Sequence, residues 1–168
     1  NFGNICAGIL AHHRGLPVEH FIAACNVNDV VPEYLRTEIL QPKETVATIS
    51  NAMDVGDPSN FVRILELFDK EFNQVKNKLS GYTIDDGVTL KTIERVEKDY
   101  GYVLDPHGAV AFVALEKYLA ENGGKGFFLE TAHPVKFPDS VEKATGKSVE
   151  IPKSLEELMK QEKFTTEI

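Results

Sequence analysis

The chain has 168 residues, with 18 basic against 26 acidic side chains, a formal net charge of −8 and 42% hydrophobic residues, as expected of one soluble globular domain. Its longest unbroken apolar run, residues 109–115, falls far short of the ~20 residues of a membrane span. The acidic balance argues against tracking along a phosphate backbone, so neither a membrane nor a nucleic acid is an expected partner.

Residues 4–14 read as a helix with Ile5, Cys6, Ile9 and Leu10 on one side, closed by Gly15 and Pro17. Residues 20–25 form a short, continuous apolar run, the pattern of a strand buried on both faces. Polar Asn26, Val27, Asn28 and Asp29 follow, then a helix from Val30 or Pro32 to about Thr37. Residues 45–49 are β-branched and alternating, which predicts a strand. Asp57-Pro58 predicts a helix start with Asp57 as N-cap, and Phe61, Ile64, Leu65 and Phe68 then recur at helical spacing. Residues 76–86 are polar and carry no clear period. Leu90, Ile93, Val96 and Tyr100 mark an amphipathic helix stopped by Gly101. Asp105-Pro106 repeats the start signal, and residues 109–119, apolar nearly all round, predict a central helix. Residues 126–129 read as a second buried strand, ending at Glu130-Thr131. Pro138 opens a short helix, and Ser154 with Glu157 forms a capping box for a last one over residues 155–160. Apolar strands alternating with helices imply an α/β domain with a parallel sheet flanked by helices. The last thirty or so residues read as a charged tail.

Cys6 and Cys25 lie in apolar stretches and read as small buried hydrophobes in a reducing, cytoplasmic setting. Neither they nor the five histidines show ligand spacing, so no metal site is expected. No basic and apolar leader pattern opens the sequence, so no signal peptide is expected in it. Ligands of open α/β sheets bind beyond the carboxyl ends of the strands. Two polar clusters fall there: residues 26–29, and Thr131-Ala132-His133-Pro134. The opening turn Asn1-Phe2-Gly3-Asn4 is a third candidate, because a helix N-terminus favours an anion and Gly3 lets the backbone come close.

The wording of several segments resembles the threonine synthase family. They are Asn1-Phe2-Gly3-Asn4, Asn26-Val27-Asn28-Asp29-Val30-Val31-Pro32, the long block Ser50-Asn51-Ala52-Met53-Asp54-Val55-Gly56-Asp57-Pro58-Ser59-Asn60-Phe61, Leu104-Asp105-Pro106-His107 and Thr131-Ala132-His133-Pro134-Val135-Lys136-Phe137. They run in the family's order from residue 1 to about 137. The resemblance implies a pyridoxal phosphate (PLP) enzyme of fold type II, the tryptophan synthase β type, that converts O-phospho-L-homoserine and water to L-threonine and phosphate. It implies that Asn1, Phe2, Gly3 and Asn4 hold the cofactor phosphate through backbone N–H groups, and that Thr131 faces the pyridine nitrogen. A neutral hydroxyl there suits an unprotonated ring nitrogen, whereas an Asp would hold it protonated.

The family's cofactor-bearing lysine lies upstream of the phosphate loop and matches none of Lys43, Lys125 or Lys136, which read as surface or tail residues. The chain, opening on Asn1, is therefore expected to be a C-terminal piece. Residues 1–137 would be part of the PLP-binding domain and residues 138–168 a helical tail packed on it. The piece alone is expected to be inactive, and either to self-associate or to stay bound to its missing N-terminal half. The rival expectation is a threonine-synthase-like binding or regulatory protein without catalysis; another lyase of the same fold is weighed against by the Ser50-to-Phe61 block. Asn51 and Asp54 either bind substrate or shape a turn. Asn28 belongs to the same candidate group. His107 either faces the cofactor or closes the turn after Asp105, with the turn favoured. Pro134 restricts His133 to extended backbone, where it would hold Thr131 in place.

Overall fold

The computed structural model describes residues 2–161. At its centre two strands, β1 (Phe21–Cys25) and β2 (Leu79–Thr83), run parallel, with Phe21 opposite Leu79 and Cys25 opposite Thr83. The Cys25 carbonyl extends the ladder by accepting Ile84 N–H at 2.9 Å. The helices are α1 (Gly3–His13), α2 (Val30–Thr37), α3 (Phe61–Leu67), α4 (Phe72–Lys78), α5 (Asp86–Tyr100), α6 (Pro106–Asn122), α7 (Pro138–Thr145) and α8 (Lys153–Met159). Successive side chains leave a strand on opposite faces. On one face Ala23 and Leu79 pack with Ile9 of α1, Val31 and Leu35 of α2, and Phe61 and Ile64 of α3. On the other, Ala24, Tyr82 and Ile84 pack with Val110 and Val113 of α6. Both faces are covered, as a parallel sheet requires, and the expected α/β architecture is the one adopted. Among the described residues no helix is long and apolar enough to cross a membrane.

The directions of the helices matter more than their number. Gly8 of α1 lies against the Phe21 ring, and His12 is 6.0 Å from it, ring centre to ring centre. The second half of α1 therefore sits beside the start of β1, and its N-terminus points to the strands' carboxyl end. Rings pair from Phe2 to Phe61 at 6.1 Å and from His13 to Phe68 at 5.7 Å, so α3 runs parallel to α1. Across the sheet, Tyr118 stacks on His20 just before β1, while Val110 packs near Ala24 at its end. Hence α6 also runs antiparallel to β1. Since α2 and α5 start directly after β1 and β2, the N-termini of five helices gather at one end of the sheet. Each brings the positive end of its dipole; Asp85 and Asp105 cap α5 and α6, whereas α1 has no side-chain cap.

The other helices buttress this layer. Ile93 and Val96 of α5 meet Leu104 and Ala109. Arg95 pairs with Glu116 of α6 and lies over the Phe112 ring. Val141 of α7 is 1% exposed, and α7 packs on α5. Gly101 ends α5 in the left-handed region at φ 66° and donates its N–H to Glu97, as its position predicts. Cys25 is buried, and that burial pushes its thiol up to about 12, which keeps it protonated. Cys6 is half-buried against the α1–α3 core.

Four sequence expectations differ from the structure, and one stretch without a clear period acquires its elements. Residues 45–49 form no strand, because their polar backbone is paired by side chains rather than by another strand. Asp57 is no N-cap: Pro58 lies in a turn whose carbonyl accepts Phe61 N–H at 2.8 Å, and α3 starts only at Phe61. Residues 76–86 hold the end of α4, the whole of β2 and the start of α5. Residues 126–129 are not a strand; Phe127 is 71% exposed and only Phe128 packs inward, on Phe112. Backbone without an adjoining strand has no ladder to join. Finally, α8 opens at Lys153, which puts Ser154 inside the helix instead of at its cap.

Candidate active site

At the start of α1, Phe2 takes the left-handed conformation (φ 55°, ψ 18°), with its ring edge-on to Phe61. No side chain caps this helix, and Gly3 and Asn4 are exposed. A Cβ built at Gly3 would meet nothing within 4 Å. The first turn of N–H groups therefore faces open space, the donor set and electrostatic setting an anion needs. Asn1 lies outside the described residues.

Beyond β1 the chain ties a polar knot. The Asp54 carboxylate accepts from Thr48 N–H at 2.9 Å, the Thr48 hydroxyl at 2.7 Å, Asn26 Nδ2 at 2.8 Å and Asn28 Nδ2 at 3.2 Å. Asn28 mimics a strand neighbour: its Nδ2 donates to the Val46 carbonyl at 2.8 Å, and its Oδ1 accepts Val46 N–H at 2.8 Å. Asn26 and Ser50 are buried, with Asn26 Nδ2 3.1 Å from Ser50 Oγ. Gly56 closes the loop, its carbonyl accepting Lys43 N–H at 2.8 Å; a Cβ there would lie 2.1 Å from the Lys43 carbonyl oxygen. Lys43 itself pairs with Asp29 at 2.6 Å. Asp54 and Asn28 thus have their polar atoms turned into the knot, whereas Asn51 opens an exposed short 3₁₀ turn (Asn51–Met53).

A second knot forms where α6 begins. Asp105 is fully buried and caps the helix as predicted, accepting His107 N–H at 2.8 Å and Gly108 N–H at 3.4 Å. Its Oδ1 also lies 2.6 Å from His107 Nδ1, while His107 Nε2 accepts Ala52 N–H at 3.1 Å. This pair of contacts fixes a neutral imidazole with its proton on Nδ1. His107 therefore does close the turn, and it also clamps the Asn51–Met53 segment to α6, with Phe137 4.9 Å from its ring. Glu130 folds over Gly108, where a Cβ would lie 2.1 Å from its Oε2, and its Oε1 accepts Asp105 N–H at 3.3 Å. Burial raises the Asp105 carboxyl, but the hydrogen bonds from His107 and Glu130 outweigh it and hold Asp105 low, at about 2. Burial and the contact with Asp105 push Glu130 up, to about 8.

Thr131, next in the chain, is exposed beside this knot. His133 has extended backbone (φ −107°, ψ 140°), and its Nδ1 accepts Val135 N–H at 3.1 Å, capping the short 3₁₀ turn Pro134–Lys136. A cavity of about 540 Å³ adjoins it on the α5–α7 side, lined by Tyr102, His133, Val141 and Ile151 among others. It lies away from α1, and none of Phe2, Gly3 and Asn4 lines it. The structure thus gathers the start of α1, the Asn51 turn and Thr131 at the carboxyl end of the strands. Asn26 lies in the polar cluster and Ser50 in the family block that the sequence singles out, but nothing in the sequence marks them, Thr48 or Glu130 as structural partners. Only the run of short polar residues after an apolar strand hints at the first three.

Parallel strands sandwiched by helices whose N-termini converge on one sheet end make an α/β arrangement consistent with part of a fold type II domain. The comparisons specify it further. The family model described as "Threonine synthase, C-terminal" matches residues 108–168. The chain is 48% identical to the threonine synthase of Escherichia coli over 157 residues, covering 94% of this chain and 36% of that protein. The crystal structure of the E. coli enzyme superposes with a TM-score of 0.85 over 93% of this chain and 36% of that one, at 47% identity. A PLP-bound threonine synthase from Brucella melitensis gives 0.84 over 96% and 40%, at 30% identity. The chain is homologous to the C-terminal part of threonine synthases, and spans about a third of the length of the curated relatives it matches, 36% of the E. coli protein.

Proposed function

We propose that this chain is the C-terminal part of a PLP-dependent threonine synthase, which converts O-phospho-L-homoserine and water to L-threonine and phosphate. The observation that carries the reading is the gathering of the uncapped α1 N-terminus and Thr131 at one end of the sheet. The helix brings backbone donors and Thr131 a neutral hydroxyl. The residues fit the cofactor: Phe2, Gly3 and Asn4, with Asn1, would hold its phosphate on backbone N–H groups, and Thr131 would hydrogen-bond the ring nitrogen. When bound, PLP supplies an electron sink for bond cleavage next to the substrate amine. The chain's own residues bind and orient. The Asn26–Asn28–Asp54 knot shapes the loop that presents Asn51, and His107 locks that loop to α6.

The remainder of the reading rests on the family resemblance, and the fold is compatible with it. The lysine that carries the cofactor would come from an N-terminal part of the same protein, and this part would pair with the sheet. The open edges of β1 and β2 favour such pairing, or self-association of the chain on its own. Residues 1–137 would belong to the cofactor domain and residues 138–168 would form a helical tail on it. Packing of α7 on α5 supports this; residues 162–168 lie outside the described part.

The test is made in the full-length protein carrying this chain. It should bind PLP and release phosphate from O-phospho-L-homoserine, and the 168-residue chain alone should do no turnover. Thr131→Ala and Thr131→Asp should each lower kcat at least ~10-fold, with a smaller effect on PLP affinity. Full kcat in both variants would refute the assignment of Thr131.

A further inference from the structure

Glu130 stands apart among the described side chains: its Oε2 is enclosed and has no hydrogen-bond partner. Its other oxygen, Oε1, accepts Asp105 N–H at 3.3 Å, and the Asp105 carboxyl lies close enough to raise it. Two ionised carboxylates in contact repel, so one of them carries a proton. The donors around the pair decide which. Asp105 already accepts from the backbone of His107 and Gly108 and from His107 Nδ1, and all three favour its ionised form. Glu130 accepts a single N–H, from Asp105, on Oε1. A neutral acid with its carbonyl at Oε1 has its hydroxyl at Oε2, the atom that otherwise lacks a partner. The carboxyl also presses on Gly108, where no larger residue fits without displacing it.

We propose that Glu130 is a positioning residue for Thr131: its protonated carboxyl, seated on Gly108 and accepting Asp105 N–H, ties the Thr131 segment to the start of α6 and, through His107 and Ala52, to the Asn51 turn. The inference rests on the reading of Thr131 as the residue that faces the cofactor ring. It adds that two parts of the site, far apart in sequence, are held in one geometry by a single proton. The groups that face Glu130 are Asp105, the cap of α6, with His107 behind it on Asp105, and Tyr102 from the loop after α5; on its own segment, His133 lies three residues on. Burial, followed by Asp105, is the main influence that raises Glu130.

The sign of the pH dependence follows. Glu130 is raised in the folded state from 4.5 to about 8. Its stabilisation is therefore complete below 4.5 and is lost as pH rises through about 8. Glu130→Gln keeps a donor and an acceptor but no titrating proton; Glu130→Ala removes the tether. Both are made in the full-length protein, and thermal midpoints are followed from pH 4.5 to above 8. The midpoint of Glu130→Gln relative to wild type should rise steadily across that range. At neutral pH Glu130→Gln should keep kcat within ~3-fold, while Glu130→Ala should lose ~10-fold or more in kcat with KM changed by less than ~3-fold. Parallel pH profiles for wild type and Glu130→Gln overturn the proposal, and so does wild-type kcat in Glu130→Ala. If Glu130→Ala does not fold, the pH profiles alone decide. Wild-type protein that binds no PLP and releases no phosphate would instead defeat the functional reading, while the pH profiles still decide whether the proton tether exists.

Discussion

The two polar knots at the carboxyl end of the sheet are built on different physics. Around Asp54, neutral amides and hydroxyls surround one carboxylate, and donors and acceptors match. Around Asp105, two carboxyls are pressed together against a helix start, and one oxygen is left without a partner. The first arrangement is rigid and holds no labile proton on its amides. The second depends on one proton and joins segments that are distant in sequence. Loop shape is thus entrusted to neutral hydrogen bonds, while the junction between site segments is entrusted to a titrating group.

That comparison is broken most severely at Asp105. Asp105→Ala removes a helix cap, leaves His107 without its orienting acceptor and strands the Glu130 carboxyl. Losses of ~1 kcal/mol for the cap and ~1–3 kcal/mol for each of the two buried groups left unpaired give roughly 3–7 kcal/mol. Denaturant unfolding of the full-length protein measures it, and a loss under ~1 kcal/mol would show that the knot carries little. Asp105 also contributes at acid pH. Its folded carboxyl is held from 3.8 down to about 2, so its stabilisation is present above 3.8 and fades as pH falls towards about 2.

Asn26→Ala comes next. It removes the amide that joins Thr48, Ser50 and Asp54, and should cost roughly 2–3 kcal/mol. Because an amide does not titrate, that loss should stay constant across the neutral range, in contrast to the Glu130 pair. A loss that changes with pH there would erase the distinction between the knots. The smallest effect on stability is expected at Asn51, which lies exposed between them. Asn51→Ala should change stability by less than ~0.5 kcal/mol. It should raise KM for O-phospho-L-homoserine several-fold if the turn meets substrate; an unchanged KM would assign Asn51 to the turn alone.

The sequence makes local signals legible and leaves distant partners hidden. The Asp105-Pro106 cap, the Gly101 stop and the apolar strand at residues 21–25 each follow from chemistry within a few residues, and each forms. The expected strand at residues 45–49 fails because its ladder partners are side chains of Asn28 and Asp54, which no periodicity reports. Conversely β2 escapes notice because Leu79-Ser80-Gly81-Tyr82-Thr83 has little apolar character and owes its strand to pairing with β1. Glu130 reads as the polar end of an apolar run; only its placement on Gly108, 22 positions earlier, shows what it touches. The motif Thr131-Ala132-His133-Pro134 identifies a family, but the tether that holds it is visible only in three dimensions.

In the proposed holoenzyme the α1 N-terminus and Thr131 would grip opposite ends of one cofactor. A crystal structure of the full-length protein with PLP tests it most directly. The PLP phosphate is expected within hydrogen-bond reach of the backbone N–H groups of Gly3 and Asn4, and the Thr131 hydroxyl at the ring nitrogen. A cofactor whose phosphate lies elsewhere, or whose ring nitrogen meets a carboxylate instead of Thr131, would contradict it.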